Sequence, residues 1–252
     1  MSNQMEIYDY LAQGGVLSSP DNVPSRYRGE LLRLMSSFVD SELAASAGFA
    51  ASINNAPSIE ARVSASRITL EKAMHAQQVL EVMSTFGTDT GRYQQQHDWS
   101  ARLERDASLQ GRESQTDMRL PVFYFPLQSW VDAVVMNVLQ GLAAQVQLKE
   151  LSQVSYAPLA EAIRSIQPGE AAHLEQGVAA LKGIMADSGL HDEVRQSFAY
   201  WYDKVAAGFS QAHSERYQML VKFGIRHQDN DELLGQWKTS VDELKQTLNL
   251  SS

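Results

Sequence analysis

Apolar residues recur at three- and four-residue steps through most of this chain, a period that belongs to amphipathic helices rather than strands. Between residues 22 and 53, Leu31, Leu32, Met35, Phe38, Val39, Leu43 and Phe49 form one stripe, and Glu42 lies within it. Asp21 or Asn22 is placed to cap this helix, with Pro24 in its first turn. Asn54-Asn55-Ala56-Pro57-Ser58 breaks the pattern, and a second helix is expected from about 58 to 86, closed by Gly87. So short a break predicts an antiparallel helical hairpin.

Residues 88–126 are polar and interrupted by Gly91, Gly111, Pro121 and Pro126, which predicts a long connection holding one or two short helices. Within it, Leu120 to Phe125 hints at an extended piece. A third long helix is expected over 128–155 and a fourth over 158–185. Pro168-Gly169 falls inside the fourth, and an interior proline removes a backbone hydrogen bond, so a kink or local unwinding is expected just before Glu170. A fifth helix, from His191 to about Gln211, carries Phe198, Tyr200, Trp201, Tyr202 and Phe209, which suit packing or a subunit interface. A last one runs from about Asp229 to Leu248, with Asp229 or Asn230 as cap. The stripe Met5, Ile7, Tyr8, Tyr10 and Leu11 could dock on the bundle or on a neighbour. The expected organisation is an N-terminal segment, 1–21, and a single helical domain, 22–250.

Composition narrows the function. A chain of 252 residues, 44% hydrophobic and 20% charged, has the balance of a globular protein with a sizeable core. The net charge of −9 and the lack of any basic run exclude a nucleic-acid surface and an anionic-membrane surface. Cysteine is absent, which removes disulfides, thiolate metal sites and a cysteine nucleophile, and leaves His, Asp and Glu as strong ligand types. The start, MSNQMEIYDYLAQGG, has no basic segment followed by an apolar one, and no uninterrupted apolar stretch reaches spanning length; a cytoplasmic location is expected. There is no Gly-rich phosphate loop and no Gly-x-Ser-x-Gly, which weakens kinase, dehydrogenase and hydrolase readings.

The chemistry concentrates in two segments. Glu170-Ala171-Ala172-His173 has a damaged twin in Glu71-Lys72-Ala73-Met74-His75, where a lysine stands three residues before the histidine. In di-iron carboxylate bundles, two helices each supply Glu-x-x-His and the other two each supply a carboxylate. Glu71, four residues before His75, lies about 40° round the helix from it, against about 60° the other way for Lys72, so its spacing also lets it face a site. Glu and His at helical spacing also occur by chance on solvated faces, and Glu71 and Lys72 could be a solvated pair. His97, His191, His213 and His227 lie in polar or terminal segments and are expected to be exposed.

Several runs together resemble a known family: Tyr27-Arg28 through Ser41-Glu42, the segment ending in His75, Phe125-Pro126 through Ser129-Trp130, Ser155-Tyr156-Ala157-Pro158, Glu170 to His173 with Gly177, and Lys222-Phe223-Gly224-Ile225-Arg226 with Asn230 through Leu250. They resemble the catalytic subunit of bacterial phenylacetyl-CoA epoxidase, over roughly residues 22 to 250. The resemblance implies an all-α, ferritin-like four-helix bundle with a long crossover connection and extra C-terminal helices. It implies a di-iron monooxygenase that epoxidises an aromatic ring carried as a CoA thioester, beside a related non-catalytic subunit and a reductase. Carried across, Glu42, His75, Glu170 and His173 match metal ligands, whereas Lys72 stands where a glutamate belongs and Gln140 where an aspartate belongs.

Those two changes remove two negative charges and add a positive one. Lys72 is therefore expected to replace the metal as the internal cation, paired with Glu42 and Glu170. The reading that follows is a divergent homologue with a degenerate site and no cofactor, serving as a structural or partner-binding subunit. An oxidoreductase with an altered shell, holding iron or another divalent transition metal with Glu71 as an extra ligand, is the alternative. A small-ligand-binding helical bundle is the third. The expected partners are a second copy or a related ferritin-like subunit, with an acyl-CoA as possible ligand.

Overall fold

The computed structural model describes residues 2–21, 23–109, 116–209 and 215–250. Among these the protein is all-α, with nine α-helices and no strand. Asn22, Gly111, Gln211 and His213 lie outside the described residues, as does the side chain of Met5.

Helix α1 covers Ser2–Ala12 and α2 covers Ser25–Ser52. Pro24, not Asp21, occupies the cap position of α2, with φ of −58° and no side-chain cap. Proline suits that place because its ring already fixes φ near the helical value and its missing N–H would have had no partner. Helix α3, Ile59–Ser84, is capped by Ser58, whose side chain accepts the Ala61 N–H, and the chain turns at Gly87 with φ of +85°. A positive φ there costs glycine nothing.

The described part of the connection after α3 holds one short helix, α4 (Thr90–Tyr93), and a 3₁₀ turn over Pro121–Tyr124. That turn stands where an extended piece was expected. Pro121 presets its first dihedral, and tucking Val122 and Phe123 into the core needs a tight turn rather than a strand. The connection is tied to α2 by Asp40, which accepts the Tyr93 hydroxyl and the Met118 N–H, each at 2.7 Å, and by Ser41 Oγ, which accepts the Leu120 N–H at 2.9 Å.

Helix α5, Trp130–Leu151, is capped by Ser129 and is long and apolar enough by composition to cross a membrane, yet 67% of its apolar window is buried inside the protein. Helix α6, Ala157–Met185, runs unbroken through Pro168, so the expected unwinding does not occur. Pro168 sits on the solvent side, where the carbonyl it leaves unpaired can be hydrated. Helix α7 spans His191–Ala206, α8 spans Glu215–Lys222 and α9 spans Asn230–Thr247, the last with a capping box between Asp229 and Glu232. Helix α8 is too short and polar to stand out in the periodicity.

Helix α2 packs on α3 and α5 on α6, while α3 meets α6 and α2 touches α5, so the four long helices enclose a common interior. Helices α7 and α9 cover the outer side of α5. Trp201 and Trp237 are wholly buried there, and Trp237 Nε1 donates to the Leu139 carbonyl at 3.0 Å. The aromatic group of α7 thus fills a core layer of its own chain. Tyr8 of α1 stacks on Phe223 with ring centres 5.3 Å apart and Leu11 is buried, so the N-terminal stripe docks on the same chain.

Candidate functional site

Three helices bring the singled-out residues to one buried point. Glu42 comes from the inward stripe of α2, Lys72 and His75 from α3 one turn apart, and Glu170 and His173 from α6, all of them buried. Lys72 Nζ lies 3.0 Å from Glu42 Oε1 and 2.7 Å from Glu170 Oε2. His75 Nδ1 lies 2.8 Å from Glu170 Oε1 and 3.3 Å from Glu42 Oε2. Each carboxylate therefore faces both the ammonium and the imidazole.

His173 stands behind this group. Its Nε2 is 2.6 Å from Glu71 Oε2, while its Nδ1 is buried, 3.6 Å from Glu170 Oε1 and without a hydrogen-bond partner. Glu71 is half-buried at the outer edge, so it joins the site through His173 rather than beside Lys72. The two imidazole centres are 6.0 Å apart. Glu42 Oε2 is likewise buried without a hydrogen bond, since the His75 Nδ1 proton goes to the closer Glu170.

Charge governs the protonation states. Burial alone would push the Lys72 ammonium toward its neutral form, but the carboxylates of Glu170 and Glu42 outweigh that and hold its pKa above the ordinary lysine value. Burial also opposes a charge on His75, and the hydrogen bonds and charges of Glu170 and Glu42 overcome it, raising its pKa from 6.5 to about 9. Burial would raise the Glu170 pKa, yet Lys72 and the neighbouring imidazoles hold it well below the usual carboxylate range. At neutral pH the ionised Glu170 thus faces the Lys72 ammonium and the His75 imidazolium.

Gln140 of α5 lines the same cavity as Lys72 and Glu170, a space of about 140 Å³ walled by Phe38, Phe123, Leu148 and Gln147 and reaching Arg226. The sequence reading missed Asn137, one turn earlier, whose Nδ2 donates to the His173 carbonyl at 3.2 Å. The amide can approach because the facing residue of α6 is Gly177, where a Cβ would come within 2.6 Å of it. Polar side chains in so apolar a helix, Asp132 and Asn137, were the available signal. Among the other histidines, His227 is exposed as expected, but His97 is half-buried with an unpartnered Nε2. His191 is half-buried too, 2.9 Å from the Met185 carbonyl, because the short turn between α6 and α7 folds it back onto the end of α6.

Donor atoms of Glu42, His75 and Glu170 lie within 4.8 Å of one another, close enough to share one metal ion. A comparison with curated proteins finds no match for the chain. The family model for the phenylacetic acid catabolic protein matches residues 5–252. With a match over essentially its whole length and an all-α structure, the chain belongs to the phenylacetic acid catabolic protein family, a ferritin-like family.

Proposed function

We propose that this protein is a non-catalytic member of its family, a structural and partner-binding subunit of a multicomponent CoA-ester oxygenase in phenylacetate catabolism. The observation that carries this reading is the Lys72 ammonium, 3.0 Å from Glu42 and 2.7 Å from Glu170, in the space between two would-be metal ligands.

The donor set does not fit a di-iron centre. Two divalent irons bring four positive charges, which four carboxylates and two neutral imidazoles balance. Around Lys72 only Glu42 and Glu170 are close, Glu71 is engaged by His173, and Gln140 brings no charge. A divalent ion about 4 Å from the ammonium would be repelled by on the order of 8 kcal/mol at an effective dielectric of about 20, roughly six decades in affinity. Lys72 and His75 already neutralise the two carboxylates, and ligation would need both to lose their protons against the raised pKa values.

A second reading rests on the cluster of Glu42, His75 and Glu170: an oxidoreductase with one divalent ion held by those three after Lys72 swings away. A third, small-ligand binding, rests on the cavity, whose volume of about 140 Å³ compares with the ~150 Å³ apolar cavity known to hold benzene.

Metal analysis of protein expressed with iron supplied separates these readings, with Lys72→Glu/Gln140→Asp as the matched variant. An empty wild type beside a variant carrying about two irons supports a replaced metal. Stoichiometric metal in the wild type sinks that reading and directs work to O₂-dependent turnover of aryl-CoA esters. A wild type without metal that nevertheless binds an aromatic CoA ester tightly supports retained ligand binding.

A further inference from the structure

Helix α3 has two opposed apolar faces, and among the described residues only one of them is packed. Ala65, Ile68, Ala76 and Val79 point inward with Lys72 and His75. On the opposite face Ile59, Val63, Leu70 and Met74 are 76%, 55%, 60% and 50% exposed. At about 100° per residue they fall within about 60° of the helix circumference, in a stripe about 22 Å long. Four large apolar side chains in one exposed line mark a contact surface, whereas singly scattered ones such as Tyr10, Val16 and Val221 need no explanation.

The spacing of the stripe identifies its occupant. Ile59 and Val63 are four residues apart, Val63 and Leu70 seven, Leu70 and Met74 four, so the pattern reads the same in both directions. A second α3 laid antiparallel across a two-fold axis between Ser66 and Arg67 sets Ile59 against Met74 of the second copy, and Val63 against Leu70. Self-complementarity of this kind is what an isologous interface requires. Ser66, small and exposed, sits at the axis and lets the helices approach.

Charge does not choose the register, which rests on the apolar spacing. Along one flank that register sets Arg67 near Arg67 and Glu60 of one copy near Glu71 of the other, as well as bringing opposite charges together. Glu60, Arg67 and Glu71 share one flank of the stripe, about 80° to 120° round from Ile59. In an antiparallel pair that flank stays on one side of the axis, so the two Arg67 meet at the centre and the Glu60 and Glu71 carboxylates of both copies bracket them. Arg67 of one copy lies about 7 to 8 Å along the axis from Glu71 of the other, within the span of two long side chains.

We propose that this face of α3 is the contact of a two-fold symmetric homodimer. The second copy then covers the helix flank beside Glu71, the outer carboxylate that holds His173, so the assembly borders the edge of the buried centre. The proposal stands independently of whether the centre binds metal.

Sedimentation equilibrium on the full chain tests it. The wild type is expected to be a dimer, and Val63→Glu/Leu70→Glu a monomer with unchanged helicity by circular dichroism, its dissociation constant raised at least about 100-fold. The register has its own test, because the chain contains no cysteine. Val63→Cys/Leu70→Cys, oxidised with excess oxidised glutathione, should give a covalent dimer, since the two positions lie about 10 Å apart along one helix and cannot bridge within it. A wild type that stays monomeric, a dimer that survives the double glutamate variant, or failure to cross-link overturns the proposal.

Discussion

Among the buried carboxylates of the described residues, Asp132 and the Glu42–Glu170 pair make two centres that are built differently. Asp132, at the start of α5, accepts from Arg105 at 2.6 Å, Trp201 Nε1 at 2.7 Å, the Gln128 N–H at 3.0 Å and Ser197 Oγ at 3.1 Å, so both of its oxygens are occupied. The centre around Lys72 also neutralises its carboxylates, yet leaves Glu42 Oε2 and His173 Nδ1 buried without hydrogen bonds. A cluster that only has to fasten helices together closes its hydrogen bonds, as Asp132 does. Glu150 Oε2 is also buried without a hydrogen bond, so idle atoms alone do not mark a former site; what sets Glu42 apart is the cavity it lines together with Lys72 and Glu170. On the proposed reading, the first centre is a fastening and the second is a filled socket.

The largest difference should appear when each centre loses its key group. Lys72→Ala leaves two buried carboxylates facing each other and should cost about 3–5 kcal/mol in urea unfolding at pH 7. A loss below about 1 kcal/mol would mean the pair is solvated and the socket picture is wrong. Replacing Lys72, Glu42 and Glu170 together by Met should recover most of that loss, because a desolvated ion pair adds little over apolar packing.

Proton linkage sharpens the contrast further. His75 has a folded-state pKa raised from 6.5 to about 9, so its contribution is fully present below about pH 6.5 and is lost as pH climbs through about 9. That contribution amounts to up to about 3 kcal/mol. The depressed Glu170 acts in the opposite sense, supporting the fold above the usual carboxylate range and withdrawing as pH falls toward its folded value. Stability should therefore decline on both sides of neutrality, and His75→Gln should flatten the alkaline limb. An unchanged alkaline limb in that variant would rule out a charged His75.

Asp132→Asn should cost less, about 2 kcal/mol, because Arg105 keeps a partly exposed side chain stacked on Tyr200 at 3.4 Å and can rehydrate. A loss as large as that of Lys72→Ala would erase the distinction between the centres. Smallest of all, Leu70→Glu on the exposed face, measured at a dilution where both proteins are monomeric, should change the stability of the folded chain by no more than about 0.5 kcal/mol. A larger loss would mean that Leu70 already packs within one chain.

The elements were legible where period and punctuation agreed. Ser58 and Gly87 bracket α3, and the box of Asp229 and Glu232 opens α9, as the residue types announce. Misreadings came where a tertiary contact decided. Pro168 suggests a kink or local unwinding, but its solvent-facing place lets α6 continue without unwinding; Leu120 to Phe125 looks extended, but burial of Val122 and Phe123 curls it. At the centre, spacing placed Glu42, His75, Glu170 and His173 on inward faces, yet could not show that Glu71 would turn to His173 instead of joining Lys72. Asn137 escaped notice because its role depends on Gly177 of a different helix, a pairing no local pattern contains.

A positive charge carried on a side chain differs in kind from one carried by an ion. Lys72 is delivered with the polypeptide, cannot be chelated or exchanged for a competing metal, and has no second oxidation state. Three helices are thus joined at their centre by a group that comes with the chain itself. If the centre works without metal, as proposed, no loading step has to precede assembly, and exposure to oxygen or peroxide leaves this joint unchanged.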